Sequence, residues 1–260
     1  MAKRKLSAER PGRGDEFLYD AARHLAAYHY ARTLTAERDV LDVGCGEGFG
    51  TVLLAEHARS VLGIDYSPAA IATARAAYRC PNLEFLQLDA LALPNLERDF
   101  DVVTNFQVIE HLPDPGRFLD AVGGRLRADG VLMLTTPNRL TSVSENPVHL
   151  REYTAEELRT LLSRHFSRVA MYSMVGNDKV RAFDAERARQ VRRILRLDPL
   201  GLRHRLPRPV MHFAFAQLGA LVRRRVSAVV RETRTIVPED LQVVEESRAD
   251  ALDLVALCRP

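Results

Sequence analysis

The sequence predicts a doubly wound α/β fold: a Rossmann-like sheet of seven strands with helices on both faces, and a helical insertion before the last strand. Three observations predict it. Short β-rich runs alternate with helical patterns through the first half of the chain, the order expected of parallel strands joined by crossover helices. A glycine-rich stretch, "VLDVGCGEGFG" at residues 40–50, closes the first strand and opens the first crossover. An apolar fraction of 47% in 260 residues is enough for a sizeable core.

The elements follow in order. "ERPGRGDEFLYDAARHLAAYHYARTLT" reads as a loop and an amphipathic cap helix within residues 1–37, with Tyr19, Tyr28 and Tyr30 available near one end of the sheet. Strands are predicted at 39–43, 60–65, 83–88, 100–105 and 130–136, and helices at 47–58, 68–79 and 115–127. Ser67-Pro68 opens the second of these helices as a cap and first-turn pair. After the fifth strand an irregular loop leads to a helix starting near Thr154, where Thr154 and Glu157 stand in capping-box spacing. A sixth strand at 168–174 should return at once to a seventh, but the next suitable run, "ALDLVALCRP", begins only at Ala251. The main domain is therefore expected at 38–175 and 236–260, with residues 176–235 inserted.

That insertion is basic. From Lys179 to Thr235 fifteen Lys and Arg face four Asp and Glu, a local balance of +11 in a chain of net charge +3, which leaves −8 for the rest. Within it an apolar run, "VMHFAFAQLGALV", precedes Arg223, Arg224 and Arg225. The run is too short to span a bilayer, whose core needs about 20 residues of helix, but it suits a membrane surface or a lid over a greasy acceptor. A charge run is commonly a solvated face.

Other classes are disfavoured. No apolar stretch follows Lys3, Arg4 and Lys5 in the manner of a signal peptide, so a cytoplasmic setting is expected. Cys45, Cys80 and Cys258 are odd in number and lack metal-ligand spacing, which predicts reduced thiols and no metal site.

The glycine loop lies beyond the end of the first strand, where ligands of such sheets bind. Glycines let the backbone turn with positive φ and let a ligand approach closely. The dinucleotide fingerprint would need glycine at Phe49, so a pyrophosphate is disfavoured. Asp42 followed by Gly44, Gly46 and Gly48 suits a ligand carrying an ammonium or sulfonium. Gly50 reads as room for the following helix to pack on the sheet.

With these motifs, residues 38–175 and the last strand resemble the class I S-adenosylmethionine-dependent methyltransferases. The resemblance implies that S-adenosylmethionine is the cofactor and that Asp42, Gly44, Cys45, Gly46 and Gly48 form its loop. "VLGIDYS" places Asp65 to take both ribose hydroxyls, with Tyr66 beside it; a carboxylate accepts two hydrogen bonds at once. "FLQLDALALP" places Asp89 and Ala90 at the adenine. "FDVVTNFQVIEHLPDP" places Asn105, Phe106 and Gln107 under the methionine part. Tyr19 is the first choice for a contact from the N-terminal segment. Cys45 reads as a small packing residue, and Glu110 as fixing the turn after the fourth strand through backbone hydrogen bonds.

"NPVHLREY" is similar to an Asn-Pro-x-His-x-x-Glu segment in members that methylate small molecules, several of them linked to sugars and glycans. The resemblance implies that His149 faces the acceptor. As a general base it would contribute about 10²–10⁴-fold toward methylating a hydroxyl; alternatively it pins the loop against the helix. His111 is the second candidate, as active-site wall or turn residue. An anionic or amphiphilic small-molecule acceptor is expected, with peripheral membrane contact through 209–225. Methylation of RNA and a non-catalytic cofactor-binding partner are the alternatives, although no aromatic stacking platform is interleaved with the arginines to favour nucleic acid.

Overall fold

A computed structural model of the chain describes residues 18–142, 149–195 and 236–260. The described residues divide into two compact units.

The larger unit, His24–Thr141, Leu150–Val175 and Val243–Pro260, is built on the predicted α/β sheet. The strands of the chain are β1 (Asp39–Val43), β2 (Ser60–Asp65), β3 (Leu83–Gln87), β4 (Phe100–Phe106), β5 (Leu126–Pro137), β6 (Arg168–Gly176), β7 (Leu241–Val244) and β8 (Asp253–Arg259). They run in the order β3-β2-β1-β4-β5-β8-β6-β7. The first five pair in parallel, and β8 is antiparallel to both β5 and β6. Strand order reverses between β1 and β4, so the glycine loop after β1 opens at the switch point where such sheets bind ligands.

The helices are α1 (Leu18–Thr35), α2 (Thr51–Ala55), α3 (Pro68–Ala77), α4 (Pro115–Gly123), α5 (Ala155–Leu162) and α6 (Asp178–Leu195). Caps start three of them. Ser67 Oγ accepts from the Ala70 amide and Asp114 Oδ1 from the Arg117 amide. At α5 the capping box is closed in both directions: the Glu157 amide donates to Thr154 Oγ1, and the Thr154 amide to Glu157 Oε2. A core of Leu41, Ile64, Phe100, Phe118, Leu132, Leu134, Leu158 and Leu254 joins strands to helices.

Three expectations need correction. The sheet has eight strands, because β7 was not foreseen: four residues with one fully buried side chain carry too brief a pattern. The first crossover helix covers 51–55 rather than 47–58, since Gly46 and Gly48 adopt φ of 55° and 81°, outside right-handed helical space. The helix predicted to reach residue 127 stops at Gly123, and β5 starts at Leu126.

At the amino ends of β1 and β4, Arg127 bonds Asp101 at 2.7 Å and Asp39 at 3.0 Å, Arg59 bonds Asp39 at 2.9 Å, and the Asp39 amide donates to Asp101. Burial would raise both carboxyls, but hydrogen bonds from Ser60 and Arg127 to Asp39, and from Arg127 and the Asp39 amide to Asp101, hold them below the usual range.

The smaller unit takes in the start of α1, through Arg23, and residues 176–195 and 236–242 among those described. Tyr19 packs on Phe183, and its hydroxyl donates to both Asp184 carboxylate oxygens at 2.9 and 2.8 Å. Arg23 and Arg187 each lie within 6 Å of the Tyr19 ring centre. Asn177 and Lys179 both bond Asp240. Thus α6 occupies the start of the predicted insertion, whereas residues 196–235, including the apolar run, the 209–225 membrane segment and Arg223–Arg225, lie outside the described residues. Among the described residues no helix is long and apolar enough to cross a membrane.

Candidate functional site

The candidate site is built from the carboxyl ends of β1, β2 and β4. After Val43 the chain turns through Gly44, Gly46 and Gly48, all at positive φ. The Gly44 and Cys45 amides donate to the Ile64 carbonyl, which holds the loop against the end of β2. A Cβ at Gly46 would have no heavy atom of the protein within 4 Å. Gly46 therefore leaves open space beside the loop, whereas a Cβ at Gly44 would sit 2.3 Å from Val108.

Next to that space stands Asp65. The Gly46 amide donates to its Oδ2 at 3.1 Å and the Ser67 amide to its Oδ1 at 2.8 Å, so the carboxylate is aimed by main chain on both sides. Each oxygen keeps lone-pair capacity for a further donor. Tyr66 is 72% exposed. Asp89 is exposed, and its Oδ1 caps the short 3₁₀ turn Ala90–Asn95 by accepting from the Leu91 amide.

At the end of β4, Asn105 is buried; its Nδ2 donates to the Val43 carbonyl, while its Oδ1 has no hydrogen-bond partner among the described residues. A buried acceptor without a donor is costly unless a ligand or water supplies one. Phe106 is buried, and Gln107 takes φ 56°, uncommon for a residue with a side chain. The Gln107 amide and side chain both donate to Thr135, which fixes this turn to β5.

Asp42 is only 1% exposed. Its Oδ2 accepts from Tyr28 at 3.0 Å and Thr51 at 2.6 Å, and its Oδ1 from Thr104 at 2.8 Å. Burial pushes its pKa up; the three hydroxyls oppose this, and the nearby Asp65 charge adds to it. The Tyr28 phenol is raised well above its ordinary value, by burial first and by Asp42 second. Asp42 is thus the buried pin of the loop. Gly50 also differs from expectation: a Cβ there would lie 2.0 Å from the Tyr28 ring, so its smallness makes room for α1 rather than for packing on the sheet.

In the turn after β4, Glu110 is buried and its Oε2 accepts from Thr136 at 2.9 Å. Its carbonyl accepts from the Leu150 and Arg151 amides, so the turn after β4 anchors the segment that follows His149 directly. The His111 amide donates to the Val108 carbonyl within the same turn. His149 itself is partly buried.

The sequence-predicted residues at the ends of β1, β2 and β4 do come together. Tyr19 is placed in the smaller unit with its hydroxyl on Asp184. Tyr28, Thr51 and Thr104 were missed as site residues. All three are hydroxyls on other elements, at separations of 14, 9 and 62 residues from Asp42, so no local signal marks them.

Residues 41–134 match the methyltransferase domain family model. A Mycobacterium tuberculosis protein described as a "probable S-adenosylmethionine-dependent methyltransferase" is 41% identical over 169 residues, 63% of this chain and 61% of that relative. This chain therefore aligns with less than two thirds of that protein's length. A ubiquinone biosynthesis O-methyltransferase of Coxiella burnetii is 33% identical over 111 residues, 39% of this chain and 44% of that one. In fold, the chain is similar to a SAM-dependent methyltransferase from Archaeoglobus fulgidus, with TM-score 0.56 at 15% identity over 95% of both chains. The switch-point glycine loop, the main-chain-aimed Asp65 and these matches agree: residues 41–134 carry a match to the methyltransferase domain, and the chain is similar to S-adenosylmethionine-dependent methyltransferases.

Proposed function

We propose that the chain transfers the methyl group of S-adenosylmethionine to a hydroxyl of a small-molecule acceptor, a sugar, glycan-linked or lipid-like compound. The observation that carries the cofactor half is the cradle: open space at Gly46, Asp65 aimed by two amides, and the buried Asn105 Oδ1 awaiting a donor. These groups fit a ligand with a diol and an ammonium, the polar ends of this cofactor. When bound, the cofactor supplies an electrophilic methyl on a sulfonium. Asp65 would hold the ribose with Tyr66 beside it, with Asp89 and Ala90 at the adenine and Asn105, Phe106 and Gln107 beneath the methionine part.

On the acceptor side, His149 is the proposed base that takes the hydroxyl proton, with His111 as the second candidate. Similarity to the Coxiella ubiquinone biosynthesis O-methyltransferase supports O-methylation. Exposed Arg181, Arg189, Arg192 and Arg193 on α6 support an anionic acceptor or surface, in keeping with the +11 charge of residues 179–235.

Incubation with methyl-labelled cofactor and separate pools of sugars, lipids and RNA tests this reading. Label is expected in a sugar or lipid fraction; label in RNA alone would transfer the assignment to nucleic acid, and label in none would favour a non-catalytic binder. With an acceptor in hand, His149→Ala is expected to lower turnover at least about tenfold with cofactor affinity nearly intact. Full turnover in that variant would remove His149 from the chemistry.

A further inference from the structure

We propose that Tyr28 is a positioning residue for the cofactor: its phenol joins the His24–Thr35 part of α1 to the glycine loop, so that docking of this helix and binding of S-adenosylmethionine are one coupled event. The proposal rests on the cofactor assignment above.

One side chain reaches two of the strand ends around the cradle, those of β1 and β4, and the glycine loop between β1 and α2. The Tyr28 hydroxyl donates to Asp42 Oδ2, at the end of β1. Its ring fills the place a Cβ at Gly50 would take, at the entry to α2, and stands edge-on to Phe49 at 6.2 Å. It also meets Phe106, between Asn105 and Gln107 at the end of β4, edge-on at 4.8 Å. Tyr28 is 4% exposed, and edge-on aromatic contacts of this kind tolerate little displacement. Undocking the helix would therefore take a donor from a buried carboxylate and remove the wall behind Phe106. By reciprocity, a ligand that orders the loop must stabilise the docked helix.

Tyr28→Phe isolates the hydroxyl, since the ring remains to fill the space at Gly50. S-adenosylhomocysteine serves as the probe, by calorimetry across pH and by hydrogen exchange. In the wild type, the probe is expected to protect amides of residues 24–35 as well as the loop. In Tyr28→Phe, affinity should fall about tenfold, the scale of one hydrogen bond to a charged group, and the helix should lose its probe-induced protection.

The pH profile separates positioning from simple loosening. Protonating Asp42 turns one acceptor oxygen into a donor and breaks the three-hydroxyl cradle. The groups facing it are Tyr28 from α1, Thr51 from α2, Thr104 from β4 and the titratable Asp65 from the end of β2, with the Cys45 thiol of the loop acting on the Tyr28 phenol. With one donor to its charged form removed, the acid-side loss of affinity should begin at a higher pH in Tyr28→Phe than in the wild type. Thr104→Val should move that limb in the same direction yet leave helix protection in place, because it touches Asp42 but not α1. Wild-type affinity in Tyr28→Phe, or an equal loss at every pH with helix protection unchanged, would overturn the proposal. Failure of the wild type to bind the probe would instead overturn the cofactor assignment.

Discussion

Gly44, Gly46 and Gly48 share a left-handed backbone for different physical reasons. Added Cβ atoms at Gly44 and Gly48 would strike Val108 and Phe85, whereas at Gly46 one would enter open space. Gly46→Ala should therefore cost only the backbone strain of φ 55°, about 1 kcal/mol, or roughly 2–4 °C in Tm. Because the added Cβ would enter the open space that the cradle leaves for the ligand, the same substitution should weaken S-adenosylhomocysteine binding about tenfold or more. A thermal melt and a titration of one preparation check both; a folded variant of undiminished affinity would show that the cradle lies elsewhere. The spacing of these glycines and Asp65 was legible in sequence, because such turns require glycine locally. Tyr28 was not. It reaches Asp42 and Phe106 across the fold, and nothing local distinguishes it from Tyr19 or Tyr30 on the same helix.

Strands β1, β2 and β4 were legible nearly to the residue because strands buried on both faces read as continuous apolar runs. Elements whose ends are set by a few residues were not: β7 is four residues long, and α2 waits for the glycine turn to finish. The carboxylates at the feet of β1 and β4 belong to this scale too. Burial raises both, yet Asp39 is held below its ordinary pKa chiefly by Ser60 and Arg127, and Asp101 chiefly by Arg127 and the Asp39 amide. A carboxyl with a depressed folded pKa stabilises the fold above its unfolded value, about 3.9, and this contribution is lost as pH falls through the folded value. The Tm gap between wild type and Arg127→Met should thus be constant from neutral pH to about pH 5 and narrow below about pH 4. A gap of constant width down to pH 2 would deny the cluster this role.

At the scale of the molecule, the two compact units carry different duties in the proposed function: the larger holds the cofactor cradle, and the basic α6 of the smaller favours an anionic acceptor. The fold class was legible because alternating strands and helices, a switch-point glycine loop and an acid closing β2 are set by local sequence. The acceptor was not, since charge alone describes a surface and not a pocket. The central claim is that the β1 loop and Asp65 hold S-adenosylmethionine. Isothermal titration of S-adenosylhomocysteine into wild type and Asp65→Ala tests it most directly. Saturable one-site binding is expected for the wild type, a loss of about 1.5–3 kcal/mol for the variant, as befits charge-assisted hydrogen bonds, and no measurable heat from NAD with either. Equal affinity in the two proteins, or no binding by the wild type, would contradict it.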